Sequence, residues 1–391
     1  MLSAALHYDL PPEAIATFPA EPRDSARLMH VRGQEGAAKH RRVRDLPELL
    51  RAGDALVFNA SAVLPARIIA HRAGGGRIEG LALEPAPEGG GAWRFLLKGS
   101  ARLREGEELA IAGAPDDGPA PAGDGGAAAG AAIALLRRDG DAWIVAAAAR
   151  SGSDPAGDQN DSARRSPLSI ERLLDRFGHV PLPPYIRRAR SERGMDAEDR
   201  RDRAWYQTVY ADPAAQGSVA APTAGLHFTP ELLAALDRRG VRRIEVVLHV
   251  GAGTFKPVET ERVDSHPIHR ERYRITAEAL AALRRQRAEG GRIVAVGTTT
   301  ARVLESLPPL ADSASATLPP GGISGSTDLM IVPGHRWRNV DALITNFHLP
   351  RSTLLALVAA LVGLDRLKAL YAEAIREGYR FYSYGDAMLI E

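Results

Sequence analysis

Four loops in the carboxyl-terminal half of the chain carry side chains able to bind or activate a small polar molecule. In each, an apolar run leads into Gly, Thr, His or Asn. The first spans Ser218 to Glu231 and places His227 just before Thr229, which can cap a helix opening at Pro230. The second is a strand, RIEVVLH from Arg243 to His249, running into Val250, Gly251, Ala252, Gly253 and Thr254, where two glycines permit close backbone approach to a ligand. In the third, the strand Arg292 to Val296 precedes Gly297, Thr298, Thr299 and Thr300 at the start of a helix. Hydroxyls and free backbone N–H groups gather there, at the kind of helix end that attracts carboxylate or phosphate. In the fourth, the strand Ala342 to Thr345 is followed by Asn346, Phe347, His348, Leu349, Pro350 and Arg351. Ser352 then caps the apolar helix Thr353 to Val362, which stops at Gly363.

In open parallel sheets ligands gather beyond the carboxyl ends of the strands, so these four loops are expected to converge on one pocket. Phe347 reads as core rather than as a site residue. Metal catalysis is not expected: His266 and His269 enclose Pro267 in a polar loop, without the helical spacing and carboxylate partner of a zinc hydrolase. The chain has no cysteine, which excludes disulfides, thiolate metal sites, iron-sulfur clusters and cysteine nucleophiles. No Gly-x-Ser-x-Gly elbow or Walker loop is present, and Gly74, Gly75 and Gly76 lack the strand and helix of a dinucleotide-binding turn.

The elements that must hold these loops fall into two textures. At 391 residues the chain exceeds the size at which one core stops growing, so two domains are expected. Short strand-like runs, Arg77 to Leu83, Trp93 to Leu97, Glu108 to Ile111, Ala131 to Leu136 and Trp143 to Ala147, suggest a small β-barrel domain over 70–152. Within it, residues near 112–132 have no bulky apolar side chain and read as a disordered loop. The remainder, 1–69 and 153–391, reads as a discontinuous, layered α/β core into which the barrel is inserted. Arg187 to Arg203 mixes charges without helical apolar periodicity and reads as an exposed loop. No apolar run approaches the length needed to span a bilayer, and the amino terminus lacks the pattern of a secretory signal, so cytoplasmic residence is expected. Only Lys39, Lys98, Lys256 and Lys368 are lysines among 50 basic residues; net charge is +2, too small to argue for nucleic acid by itself. Nothing fixes the oligomeric state, monomer or homodimer.

At these same residues the chain resembles the S-adenosylmethionine:tRNA ribosyltransferase-isomerase family of queuosine biosynthesis. The resemblance is nearly full length. It rests on PRDSARL from Pro22, Pro65 to Arg67, Pro181 to Ile186, YQTVYA from Tyr206, GSVAAPTAGLHFT from Gly217, LHVGAGTFKPV from Leu248, VGTTTARVLES from Val296, TDLMIVPG from Thr327, LITNFHLPRSTLLALV from Leu343 and YRFYSYGDAM from Tyr379. It implies transfer and isomerisation of the ribosyl moiety of S-adenosylmethionine onto 7-aminomethyl-7-deazaguanine at the tRNA wobble position. Adenine and methionine leave, and the tRNA carries epoxyqueuosine. S-adenosylmethionine would be a co-substrate, with no permanently bound cofactor and no metal, and the partner would be the anticodon loop of a tRNA, with no membrane.

Carried onto this chain, the resemblance implies His227 or His249 as the base that takes a proton beside the sulfonium, with Asp328 or Asp386 as orienting carboxylates. Gly251, Gly253, Thr254, Gly297, Thr298, Thr299, Asn346 and His348 would bind S-adenosylmethionine, the Gly297 to Thr300 turn seating the methionine carboxylate. Arg23, Arg27, Arg67 and Arg351 would meet tRNA phosphates, and Tyr185 or Tyr206 would stack on an unstacked base. One stretch departs from the family pattern: Asn59, Ala60, Ser61, Ala62 and Val63 stand where members carry Asn, Asp or Asn, Thr and Arg before the valine. The two alanines motivate an alternative, an altered-substrate or non-catalytic RNA- or nucleoside-binding relative that keeps the fold.

Overall fold

The computed structural model describes residues 1–33, 36–99, 102–113, 127–149, 168–195, 199–251, 258–268, 270–311 and 319–391. The chain divides into two compact units, Met1–Ala62 with Leu182–Ala197 and Trp205–Glu391, and Val63–Pro181 with Glu198–Ala204.

The first unit is built on a nine-stranded mixed sheet. Its spatial order is β15 (Ile323–Thr327), β13 (Glu271–Ile275), β12 (Arg242–Leu248), β3 (Ala55–Asn59), β14 (Ile293–Val296), β16 (Ala342–Asn346), β17 (Ala387–Ile390), β1 (Arg27–Val31) and β2 (Lys39–Arg42). The four central strands, β12, β3, β14 and β16, pair in parallel, so their carboxyl ends emerge on one edge. Parallel strands need cover on both faces. Alternation supplies it: Val57, Val246, Ala295 and Leu343 enter one core, while Leu56, Phe58, Val294 and Ile344 enter the other. The first core is closed by α6 (Ala277–Ala288), α7 (Thr298–Ser306), α8 (Thr353–Val362) and α9 (Leu364–Arg376). The second is closed by α1 (Leu46–Leu49) and α5 (Pro230–Arg238). Thr229 and Ser352 cap α5 and α8 as their types predict, accepting from Leu232 N at 3.1 Å and Leu355 N at 3.1 Å.

The second unit holds a closed antiparallel barrel, ordered β10 (Ala142–Ala149), β7 (Trp93–Lys98), β6 (Arg77–Pro85), β5 (Arg67–His71), β8 (Glu108–Ala112) and β9 (Ala127–Asp139). Alternate residues such as Ile68, Ile78, Phe95, Leu109 and Ile133 are buried. Gly80 takes its place in that alternation because a Cβ there would lie 2.8 Å from Ile68 Cγ1. Between Ala62 and Leu182 the chain thus leaves the α/β core, forms the barrel and its α2 helix (Ile170–Phe177), and returns. In this unit α2 packs on β5 and β10.

Two expectations are corrected. The stretch near 112–132 is not all loop: Ala112 ends β8, and β9 begins at Ala127, with Ala131 and Ala132 paired to Ala149 and Ala148. A ladder needs backbone N–H and C=O groups, not bulky side chains. Residues 114–126 lie outside the described residues. Arg187 to Arg203 is also not an exposed loop, for it contributes to α3 (Pro184–Glu192) and α4 (Asp199–Trp205). Arg190 is buried, its guanidinium 4.4 Å over the Phe18 ring with Nε and Nη2 donating to Thr17 O at 3.1 and 2.9 Å. A charged residue on the inward face hides the helical period from any hydrophobicity pattern.

Glu391 locks the sheet at β17. Its N–H donates to Val31 O at 3.0 Å, and its C=O accepts from Gly33 N at 2.7 Å. Its buried carboxylate meets His30 Nε2 at 2.7 Å, Arg32 Nε at 2.7 Å and Arg292 Nη1 at 2.5 Å. Burial alone would raise this carboxyl, but hydrogen bonds from His30, Arg292 and Arg32 outweigh it and hold the pKa well below the ordinary 4.5. A depressed folded pKa gives stability present above the unfolded value and lost as pH falls through the folded one. Glu391→Gln is therefore expected to cost about 2 kcal/mol at pH 7. The gap to the native chain should shrink below pH 4.5, read as urea midpoints at constant slope. A gap that stays constant to low pH would show that the carboxylate charge contributes nothing.

Candidate active site

The parallel strands end in polar residues that finish their ladders by side chain. Asn59 Oδ1 accepts from Leu248 N at 3.0 Å and Ser61 N at 3.1 Å, and its Nδ2 donates to Leu248 O at 3.0 Å. Ser218 Oγ donates to Ser61 Oγ at 2.8 Å and accepts from Val250 N at 3.0 Å. At the neighbouring end, Gly297 N donates to Ile344 O at 2.8 Å. Gly297 has φ +91° and ψ 152°, a region open essentially to glycine alone. That turn starts α7 with no side-chain cap, leaving its first N–H groups without an intrahelical partner.

These ends border a cleft of about 360 Å³. Five of the residues expected to bind S-adenosylmethionine line it: Gly297, Thr298, Thr299, Asn346 and His348. Thr300 Oγ1 is engaged with Val296 O at 2.8 Å, whereas Thr299 Oγ1 is buried with no hydrogen-bond partner among the described residues. Thr223 Oγ1 donates to Asn346 Oδ1 at 3.0 Å, and Asn346 Nδ2 donates to Tyr382 O at 3.1 Å. Tyr382 is held at φ +74°, rare for a bulky side chain, with its N–H bonded to Phe347 O at 3.0 Å. His348 Nε2 lies 2.7 Å from Thr345 Oγ1, its N–H donates to Tyr371 Oη at 2.9 Å, and its C=O accepts from Tyr8 Oη. Burial pushes the His348 pKa down to about 3, so the ring is neutral. Behind the loop, Phe347 packs in an aromatic wall with Tyr371, Tyr379 and Phe381 at ring separations of 4.9 to 5.4 Å, a core role.

The two histidines expected as bases have different surroundings. His227 is buried, with Nδ1 3.1 Å from Ala224 O and Nε2 2.8 Å from Gly385 O. Burial lowers its pKa against the pull of both carbonyls. With both nitrogens turned to carbonyls, neither is open to a substrate proton. His249 follows β12, beside Val250 of the cleft, and its Nδ1 is buried without a hydrogen-bond partner among the described residues. Gly217 packs on that ring: a Cβ there would lie 2.8 Å from Nδ1. Burial first, then Arg272 and Arg274, lower the His249 pKa, so this ring too is neutral near pH 7.

The carboxylates stand apart from the cleft. Asp386 is buried and accepts from Arg27 N at 3.0 Å and Arg380 N at 2.8 Å, a brace for two backbone segments. Asp328 is exposed and pairs with Arg270 at 3.3 Å. Gly251 N donates to Glu271 Oε1 at 3.2 Å, while Gly253 and Thr254 lie outside the described residues. Of the residues expected at tRNA, Tyr206 is in the core, edge-on to Tyr384 at 5.9 Å, and cannot stack on a base as placed. Tyr185 is half-buried, packs on Tyr382 at 4.6 Å and bonds Ser383 Oγ at 2.5 Å. Arg23 Nη1 donates to Gln207 O at 2.7 Å, and Arg27 lies 3.8 Å over the Tyr379 ring. Arg67 faces Glu79 at 3.7 Å, and Arg351 is exposed at φ +53°. Ala60 and Ala62 are buried, and Ala60 N donates to Val246 O at 2.8 Å, so nothing at these positions favours a non-catalytic relative.

Sequence reading missed Thr223 and Thr345 on this cleft, and Glu271 and Arg302 beside it. Thr223 and Thr345 sit within the strand-end motifs and could have been found by asking which hydroxyls flank Asn346. Among the described residues no group of three or more His, Asp or Glu could hold a metal ion, and no helix is long and apolar enough to cross a membrane.

The sequence pattern of the family described as "Queuosine biosynthesis protein" matches residues 3–390. The S-adenosylmethionine:tRNA ribosyltransferase-isomerase of Anaeromyxobacter dehalogenans (strain 2CP-C) is 46% identical over 384 residues, 98% of this chain and 97% of that protein. Its counterpart in Acidiphilium cryptum (strain JF-5) is 46% identical over 388 residues, 99% of each. The crystal structure of S-adenosylmethionine tRNA ribosyltransferase from Thermotoga maritima is 33% identical, covers 99% of this chain and 100% of that one, and has a TM-score of 0.49. With the pattern matched almost end to end and relatives at this identity over nearly all their length, the chain belongs to the queuosine biosynthesis protein family.

Proposed function

We propose that this chain is an S-adenosylmethionine:tRNA ribosyltransferase-isomerase. It transfers and isomerises the ribosyl moiety of S-adenosylmethionine onto 7-aminomethyl-7-deazaguanine in the tRNA wobble position and releases adenine and methionine. The names of relatives 46% identical over nearly the whole chain support the reaction class. The observation that carries it at the level of residues is the cleft at the strand ends. There a helix amino terminus with no side-chain cap, a Thr299 hydroxyl without a partner among the described residues and the neutral His348 ring stand together. Free first-turn N–H groups and the helix dipole suit the methionine carboxylate. Burial of the cleft walls suits a reaction whose intermediates must be kept from water.

His249 is the better base of the two candidates. It is neutral at pH 7, it makes no side-chain hydrogen bond to the described residues, and it adjoins the cleft. His227 acts as a clip between Ala224 and the Gly385 turn. Asp386 positions Arg27 and Arg380 rather than a reacting group. For the tRNA, Arg23, Arg27, Arg67 and Arg351 remain the phosphate partners proposed, and Tyr185 the stacking aromatic. A tRNA substrate implies cytoplasmic residence.

The first experiment is incubation of the purified chain with S-adenosylmethionine and tRNA bearing the aminomethyl-deazaguanine, following adenine release and nucleoside mass together. Adenine with epoxyqueuosine-tRNA is the expected result; tRNA binding without product would reject the activity. His249→Ala should lower kcat at least about a hundredfold with an unchanged unfolding midpoint. His227→Ala should instead lower stability by about 2 kcal/mol, read as a lower unfolding midpoint, since a buried hydrogen bond is lost and a cavity opens. Because a base works only unprotonated and the His249 pKa is lowered, the acid limb of kcat/KM should fall below pH 6.5 and activity should be flat above it. A limb above 6.5 would assign the base elsewhere. Thr299→Val should raise KM for S-adenosylmethionine several-fold, roughly the worth of one hydrogen bond, with little change in kcat.

A further inference from the structure

A second cavity, about 500 Å³, lies on the same unit and touches the first at Leu354, which lines both. Its floor is a buried ion pair: Arg302 Nη1 donates to Glu271 Oε2 at 2.5 Å, and Arg302 Nε donates to Leu329 O at 3.1 Å. Among the described residues Arg302 Nη2 has no hydrogen-bond partner, although Arg302 is only 8% exposed. His266 Nδ1, on the same lining, is also buried without a partner among them. Two such polar atoms on one cavity suit a ligand able to bond both, since a buried donor or acceptor is costly unless satisfied. The other walls include Ile268, Met330, Ile331 and Leu357.

The chemistry that fits is a neutral, flat heteroaromatic ring. The Glu271 carboxylate already neutralises Arg302, so a second carboxylate or a phosphate would meet like charge at contact distance. A ring nitrogen can accept from Nη2 without bringing charge, and aliphatic side chains with a methionine sulfur suit the faces of such a ring. An exocyclic amine could complete the His266 Nδ1 interaction from the ring edge.

We infer that this cavity seats the adenine of S-adenosylmethionine, with the sugar and sulfonium crossing Leu354 and the aminocarboxylate reaching the α7 turn. The inference rests on the function proposed above. A 7-deazaguanine base offers similar ring chemistry, but only S-adenosylmethionine carries a ring and a carboxylate on one small molecule, and the two adjoining cavities ask for both.

The test is equilibrium binding to the full chain of S-adenosylmethionine, adenine, methionine and free 7-aminomethyl-7-deazaguanine. Two variants are compared with the native protein. Arg302→Lys keeps a cation for Glu271 and removes Nη2; Met330→Trp fills the half-buried cavity wall without touching the ion pair. Both should weaken adenine and S-adenosylmethionine by roughly tenfold or more and leave methionine unchanged. Native binding of S-adenosylmethionine with adenine affinity unmoved in both variants would overturn the adenine seat while leaving the proposed function standing. Loss of deazaguanine binding alone would overturn it in favour of the tRNA base. Failure of the native chain to bind S-adenosylmethionine at all would sink the functional reading and this inference together.

Discussion

The three hydrogen bonds of the Asn59 amide set the geometry on which the site depends. A parallel strand that stops leaves N–H and C=O groups with no neighbour, and where these are buried they must be paired. Asn59 carries its own amide past the end of β3 and joins both backbone groups of Leu248, so β12 is held in register through its last residue. Ser218 continues the pattern to Val250, and Gly297 joins the end of β14 to β16. Each such bond is worth only about 1 kcal/mol net, but leaving the buried partner unmet costs about 1–3. That asymmetry fixes His249, Val250 and the start of α7 relative to one another through the ends of the strands that carry them.

The same economy separates structural from reactive polar groups. His227, Asp386 and Asn346 have the residue types of a catalytic site, and all three are occupied with backbone: Ala224 and Gly385, Arg27 and Arg380, Tyr382. A side chain that satisfies buried backbone groups is expensive to move, so it is a poor proton carrier or ligand. Together they hold the 380–386 turn against the strand ends and keep Tyr382 in its left-handed backbone conformation. Among the described residues His249, Thr299, His266 and Arg302 each carry a buried side-chain atom lacking a partner, and Thr299, His266 and Arg302 line one or other of the two adjoining cavities.

Much of this was legible in the sequence, and the exceptions have physical causes. Strand-end loops can be read because Gly, Thr, Ser and Asn placed between an apolar run and a capped helix have few other uses. Thr229 and Ser352 cap where their types predict, and the barrel strands show in the alternation of β6 to β8. What a linear pattern cannot give is the partner of a polar side chain. Nothing in GSVAAPTAGLHFT says that His227 will face two carbonyls, and nothing in VGTTTARVLES says that Arg302 will find Glu271 on β13, 31 positions away. The helices α3 and α4 escaped notice for a related reason: Arg190 and Asp202 are buried, so the inward face does not look apolar.

The two cavities divide the labour of recognition by charge. At the α7 turn there is no side-chain cap, so the first-turn N–H groups and Thr299 offer donors without a compensating carboxylate. In the neighbouring cavity a full cation is present but is cancelled by Glu271 at 2.5 Å, leaving a directional donor with little net charge. A buried ion pair contributes little to stability compared with apolar packing of the same volume, although this one also holds backbone at Gly251 and Leu329. It is well explained if the donor it holds in place is needed for a neutral ring. Donors without charge compensation at one end and a charge-cancelled donor at the other give a bipolar ligand one orientation, because exchanging its ends would set a carboxylate against Glu271.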